Sequence, residues 1–307
     1  MLTAGIFSGK PLWEEKLKSF SGDSSFVISG TFNVTGSEDI SSSGVFSNSD
    51  IIWIPEYSDK AYDCAVSAVK VSKHIVFGFP LSLLPDGSCS LVHLASEARV
   101  QVQVGHHDHY NPAFRALRSF VRQPQFIDLD HSVVLRGGDL QAELFNALLA
   151  DIDLCISLVP DPLKKFQYHT THICEGAPPI INLRIEFNNG TAAGICLNPF
   201  STDRGMKVEV YQKGNILRLD LEKATADIES FNRPGISGPG YVKKIWPRNN
   251  FPAPSPDIND PGFLTGEFLS FINNLNNDRP PLSSLEQGCE ALKICSNIFS
   301  KISVLSQ

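Results

Sequence analysis

The sequence predicts an α/β protein: a doubly wound parallel sheet over residues 1–121, then an α/β domain with an open, mainly antiparallel sheet over 122–307. Three observations carry this. Up to residue 121 short apolar strands alternate with helical stretches of about ten residues, the pattern of βαβ crossovers. Beyond it, period-two alternation surrounds Asn189-Gly190, a strong hairpin signal, and Lys213-Gly214 repeats the device. A length of 307 residues also suits two domains, each large enough for its own core.

The elements follow in order. "LTAGIF" reads as the first strand. "PLWEEKLKSF" reads as a helix, with Pro11 in its first turn and Leu12, Trp13, Leu17 and Phe20 at amphipathic spacing. "SFVISGTFNV" is a β-branched and aromatic strand, and a polar Ser/Gly tract at 35–44 separates it from the strand "DIIWIP", which a proline ends. "YDCAVSAVKVSK" is helical, "HIVFGFP" a strand, "LVHLASEA" a helix and "VQVQVGHH" an alternating strand. "NPAFRALRSFVR" is a helix leading out of the first domain. The second half opens with a helix near 139–150 and continues with the hairpins "PIINLRIEFNNGTAAGICLNP" and "MKVEVYQKGNILRLDL". Residues 232–262, rich in Pro, Gly and Asn, read as a long loop, and two amphipathic helices close the chain. Alternation in "INLRIEF" and "TAAGICLNP" is expected to turn a semi-apolar surface outward, fit for a homodimer or a tetramer of dimers.

Composition narrows the function. Hydrophobic residues make up 42% and mean hydropathy is -0.05, as in soluble globular chains. A net charge of -7 with no basic cluster argues against a nucleic-acid partner. No apolar run approaches the ~20 residues of a membrane helix. "MLTAGIFSGK" has no basic stretch before its apolar segment and reads as a strand rather than a secretory signal. The expected location is cytoplasmic. Seven cysteines without a C-x-x-C pair read as buried reduced thiols. "GHHDHY" at 105–110 places His107 and His109 on one face, but no second ligand cluster accompanies them, so no metal is expected.

Five phrases in order, "NSDIIWIP", "AVSAVKVSKHIVFGFP", "EARVQVQVGHHDHYNPAF", "ALLADIDLCISLV" and "FLSFINNLNNDRPPLSSLEQGCEALKI", resemble the glucose–fructose oxidoreductase and inositol dehydrogenase (Gfo/Idh/MocA) family across nearly the whole chain. The resemblance implies a Rossmann-type dinucleotide-binding domain, NAD or NADP as cofactor, and oxidation of a sugar or polyol hydroxyl. Its functional positions are substituted. Where the family carries Glu-Lys-Pro, this chain has Gly78, Phe79 and Pro80. Where the family carries Asp-x-x-x-His, whose histidine takes the hydroxyl proton while hydride leaves for the nicotinamide, it has Asn146 and Ala150. Phenylalanine and alanine can neither accept that proton nor stabilise an alkoxide. In the same chain stretch, Asp151 and Asp153 read as helix-packing residues.

The cofactor positions are altered too. A dinucleotide fingerprint needs three glycines; "AGIFSGKPLW" supplies Gly9, with Phe7 and Leu12 at the outer positions. Asn33 stands where an acidic side chain usually holds the ribose. The cofactor contacts that the resemblance implies are Ser8, Gly9, Asn33, Pro55 and Pro80, with NAD(P) binding weakened.

What remains for chemistry is a cleft lined by residues such as Tyr110, Arg136, Asn146, Asp153, either His169 or His172, and Arg204. His107, His109 and Asp153 are substitute acid–base candidates, the two histidines reading more simply as exposed loop residues. Arg204 either holds a substrate anion or pairs with Asp203 or Glu209. Three functions follow: an oxidoreductase with substituted residues, a catalytically silent module binding a sugar-like molecule, and an assembly partner of an active paralogue joined through the open sheet.

Overall fold

Continuous apolar runs such as Ile51–Ile54, buried at every position, belong to strands covered on both faces, and they build the first of two sheets. The computed structural model describes residues 1–8, 13, 26–32, 43–84, 88–105, 107–135, 139–231, 241–246 and 261–305. The chain divides into two compact units: Met1–His107 with Asp257–Cys289, and Asp108–Pro256 with Glu290–Gln307. The division therefore falls at His107 rather than at 121, and the segment 257–289 joins the first unit. "NPAFRALRSFVR" starts the second unit instead of ending the first.

In the first unit, β1 (Leu2–Phe7), β2 (Phe26–Phe32), β3 (Ile51–Ile54), β4 (His74–Phe77) and β5 (Val102–Gln103) form a parallel sheet in the order β2-β1-β3-β4-β5. The strand expected over "VQVQVGHH" shrinks to two residues. The first unit's described helices are the short α1 (Gly44–Ser47), then α2 (Ala61–Lys70), α3 (Leu91–Ala98) and α6 (Pro261–Asn276). Phe268 and Phe271 of α6 pack on Ala4, Ile6, Trp53 and Val76, with Trp53 and Phe268 centred 5.1 Å apart. The helix read over 11–20 lies almost wholly outside the described residues; Trp13 stacks edge-on against Trp53 at 5.5 Å. Cys89 and Cys289 form a disulfide within this unit, with Cα atoms 5.7 Å apart. This corrects the reading of seven reduced thiols, because the two cysteines, 200 residues apart in sequence, are neighbours in space. Cys64, Cys155 and Cys295 are free and buried, and burial raises each thiol's pKa.

The second unit is an eight-stranded sheet, β13-β12-β11-β10-β6-β9-β8-β7. Its strands are β6 (Pro124–Ser132), β7 (Leu163–Thr171), β8 (Ile180–Phe187), β9 (Ala192–Asn198), β10 (Gly205–Gln212), β11 (Asn215–Asp220), β12 (Thr225–Ser230) and β13 (Tyr241–Trp246). All pairings are antiparallel except β6 with β9. The Asn189-Gly190 and Lys213-Gly214 turns join β8 to β9 and β10 to β11, with Gly190 and Gly214 at φ +89° and +78°, conformations that suit glycine. β13 lies inside the segment read as loop, and β6, β7 and β12 join the hairpins. α5 (Leu140–Leu158), longer than the helix read at 139–150, covers one face with the C-terminal part of α7 (Leu285–Leu305), burying Ile127, Leu183, Ile195, Val208 and Leu217 against Leu148, Ile152 and Ile298. α4 (Pro112–Arg118) adds Phe114 and Leu117, and Asn111 caps it by accepting from the Ala113 N–H.

The opposite face mixes apolar and polar groups, with Phe126 and Tyr211 centred 5.9 Å apart beside Asp128 and Glu209. In β8 and β9 the register sends Ile181, Leu183, Ile185 and Ile195 inward, leaving Asn182, Arg184, Gly194 and Cys196 outward. A shallow depression of about 450 Å³ lies there among Asp128, Gln167, His169, Asn182, Arg184 and Cys196. Farther along, Arg218 pairs with Glu209 at 2.8 Å and with Glu229.

Candidate functional site

The first unit mounts its candidate residues at the carboxyl ends of its strands. β1 and β3 are neighbours, with β2 on one side and β4 and β5 on the other, so strand order reverses between them. Such a switch point opens a crevice in a doubly wound sheet. Ser8 follows β1, is 2% exposed, and donates its hydroxyl to Oε1 of Glu56 at 2.8 Å. Glu56 follows β3 after Pro55, so this bond crosses the switch point itself. Beside it, Phe7 meets Phe32 at 5.1 Å, and Phe32 meets Phe46 at 6.0 Å.

The end of β4 is equally filled. The Gly78 N–H donates to the Ile54 carbonyl at 2.8 Å, so close that a Cβ on Gly78 would stand 2.6 Å from the Pro55 oxygen. No side chain fits at the position matching the family's glutamate unless backbone moves. Phe79, 5% exposed, packs on Phe77 at 5.3 Å and edge-on to Tyr57 at 5.9 Å. Its carbonyl accepts from the Gly105 N–H at 3.1 Å. Pro80 follows and leads into a 3-10 turn, Leu81–Leu83. Gly9, Leu12 and Asn33 lie outside the described residues.

The second unit holds two histidine–aspartate pairs anchored on α5. Asp139 caps this helix by accepting from the Gln141 and Ala142 N–H groups. Asn146 and Ala150 sit one turn apart and half-buried, and Asp151 and Asp153 are fully buried. His109, in the 3-10 turn His107–Tyr110, places Nε2 2.5 Å from Asp153 Oδ2. The turn carries His109 and Tyr110 inside, at 1% and 7% exposure, which overturns the exposed-loop reading of His109. His131 on β6 places Nδ1 2.8 Å from Asp151 Oδ1. Burial alone would depress the His131 pKa, but the Asp151 carboxylate outweighs it and, with Asp108, holds it above the ordinary value against the opposing charge of Arg204. Asp151 and Asp153 are thus histidine partners and not merely helix packing.

The other candidates are scattered. Arg204 lies before β10 and pairs with Glu222 at 3.5 Å; Asp203 does not take this role, and Glu209 is held by Arg218. His172 is exposed beyond β7, and His169 is exposed on β7 beside the depression. Only the backbone of His107 is described, and Arg136 lies outside the described residues. Sequence reasoning missed Glu56, His131 and the pairing role of Asp151. Alternation in "FIDLDHS" carried a signal, since it puts His131 on the inward face of Ile127 and Leu129.

Comparison with known proteins agrees on the fold. No protein-family model matches the sequence, and no curated protein matches it significantly. Among solved structures, the UDP-N-acetylglucosamine 3-dehydrogenase GnnA from Acidithiobacillus ferrooxidans is similar over 100% of this chain and 99% of its own, with a TM-score of 0.72 and 14% identity. The dehydrogenase MviM from Clostridium difficile is similar over 98% and 99%, with a TM-score of 0.68 and 14% identity. An oxidoreductase from Agrobacterium radiobacter, solved in complex with NAD+, L-tartaric acid and magnesium, is similar over 96% and 94%, with a TM-score of 0.71 and 8% identity. The chain has the fold of Gfo/Idh/MocA-type dehydrogenases. At these identities the likeness is one of architecture, and a fold by itself sets no activity.

Proposed function

We propose that this chain is an oxidoreductase-fold protein that has left NAD(P)-dependent dehydrogenation and serves as a binding or assembly module. One observation carries the reading: Phe79 packs between Phe77 and Tyr57 beside a Gly78 with no room for a side chain. The phenyl ring fills the place of the family's ammonium with apolar packing, which supports retention of the fold rather than of the chemistry. Phe7, at an outer glycine position of the fingerprint that the resemblance implies, is packed against Phe32. Asn146 and Ala150 provide no base on the helix, and losing a positioned base costs about 10²–10⁴ in rate. Self-association through the exposed face of the second unit's sheet belongs to the same reading.

A second reading has one observation in its favour. His131, held by Asp151, is a histidine–carboxylate pair next in sequence to Ala150 and could replace the lost base. The test of both is direct. Purified protein is examined by absorbance and mass spectrometry for bound NAD(P), then assayed with polyols, aldoses and sugar nucleotides at neutral pH. The first reading expects no cofactor and no turnover, even beside the variant Phe79→Lys/Asn146→Asp/Ala150→His as comparison. Turnover by the unmodified chain that is lost in His131→Asn establishes the second.

A further inference from the structure

We propose that a second copy of this chain docks on the second unit's open sheet face about a two-fold axis running along β9, so that Arg184 of each copy meets Asp128 of the other. This rests on the self-association in the reading above and goes on to fix its axis and its contacts. Strand register sets the geometry. Arg184 on β8 and Asp128 on β6 are both opposite Gly194 on β9, one on each side. One step along, Asn182 and Asp130 flank Cys196 in the same way. Side chains two residues apart share a face of the sheet, so cation and carboxylate stand in one outward row with a glycine between them. A two-fold axis along β9 exchanges the two flanks and keeps every row in place. It carries Arg184 onto Asp128 and Asn182 onto Asp130, each contact occurring twice, as an isologous interface requires.

Charge and shape both favour that docking. Among the described residues no ion pair reaches Asp128. Burial, with the carboxylates of Glu209 and Asp130, raises its pKa, so it gains from a cation brought alongside. The Arg184 side chain is 55% exposed, and its neighbour Glu186, at 3.6 Å, is already paired with Lys165 at 3.2 Å. Gly194 lies in the depression of about 450 Å³ that Asp128, Asn182 and Arg184 line. With no side chain at that point, two sheets can close to the roughly 10 Å of face-to-face packing. Phe126 and Tyr211, on the same face, supply apolar area for the contact to bury. An axis crossing the strands at this row would instead set Asp128 against Asp128 and Arg184 against Arg184, which repulsion disfavours.

The experiment measures the dimer dissociation constant of the full chain by analytical ultracentrifugation, in the wild type, Arg184→Glu, Asp128→Arg and the double variant, each checked for folding by circular dichroism. The wild type should dimerise at micromolar concentration. Each single reversal should weaken the dimer at least about tenfold, because like charges then meet at both contacts. The double variant, which swaps the two charges, should recover wild-type affinity. An equimolar mixture of the two single variants should dimerise more tightly than either alone, since opposite charges then face each other at both contacts. A dimer unmoved by either reversal, or a mixture no tighter than its components, would overturn this axis and leave self-association standing. A monomeric wild type would defeat the self-association reading itself, and the axis with it.

Discussion

Nδ1 of His131 on β6 stands 2.8 Å from Oδ1 of Asp151 on α5, and the carboxylate is wholly removed from solvent. Burial raises the Asp151 pKa, and the His131 pairing offsets that only in part. The carboxylate raises the His131 pKa above the ordinary 6.5 despite the opposing effect of burial. A folded pKa above the unfolded one means that the folded state binds the proton more tightly. The stabilisation is then complete below the unfolded value, about 6.5, and is lost as pH rises through the folded value. Denaturant unfolding of the wild type minus His131→Asn should show this decline on the alkaline side. A difference that grows with pH there would contradict it.

Asp153 should be worth more than any exposed ion pair of the second unit. With His109 1% exposed and Asp153 not at all, truncating His109 removes a buried hydrogen bond and leaves a cavity. His109→Ala is expected to cost about 2–5 kcal/mol in denaturant unfolding, from the cavity and the lost buried hydrogen bond. Arg204→Gln, which breaks the half-exposed pair with Glu222, should cost no more than about 1 kcal/mol.

Gly78→Ala should destabilise sharply, by about 1–3 kcal/mol or more, because the new methyl meets backbone at Pro55 rather than a movable side chain. Gly44→Ala, with nothing within 4 Å of the added carbon, should change stability by no more than about 0.5 kcal/mol. Thermal melts of the two variants side by side test the contrast.

Peptide mapping of oxidised protein without reductant should recover Cys89 joined to Cys289 and leave Cys64, Cys155 and Cys295 as thiols. Reduction, or Cys89→Ser, should lower stability by about 2–4 kcal/mol. Recovery of both cysteines as free thiols from oxidised protein would refute the pairing.

Much of the fold was legible because periodicity is local. The apolar run Ile51–Ile54, the helix through Cys64 and Val69, and the Asn189-Gly190 turn all announce themselves within a dozen residues. Less legible were β7 and β13, whose period-two patterns are interrupted by charge, as in "LKKFQY" and "YVKKIW". The outward face of the second sheet was legible only as alternation, because which strands lie side by side, as β6 beside β10, is set by distant pairing.

The sequence by itself determined the two-part α/β architecture and the absence of lysine and histidine from positions 79 and 150. Those are statements about residue type and spacing, which a chain carries before it folds. Only the tertiary structure decided that Glu56 reaches Ser8, that His109 and His131 each meet a buried aspartate, and that Cys89 meets Cys289. These partners are 48, 44, 20 and 200 residues apart. No local periodicity encodes such contacts; they arise when sheet register and helix packing bring distant segments together, and burial then makes each polar group depend on the partner it finds.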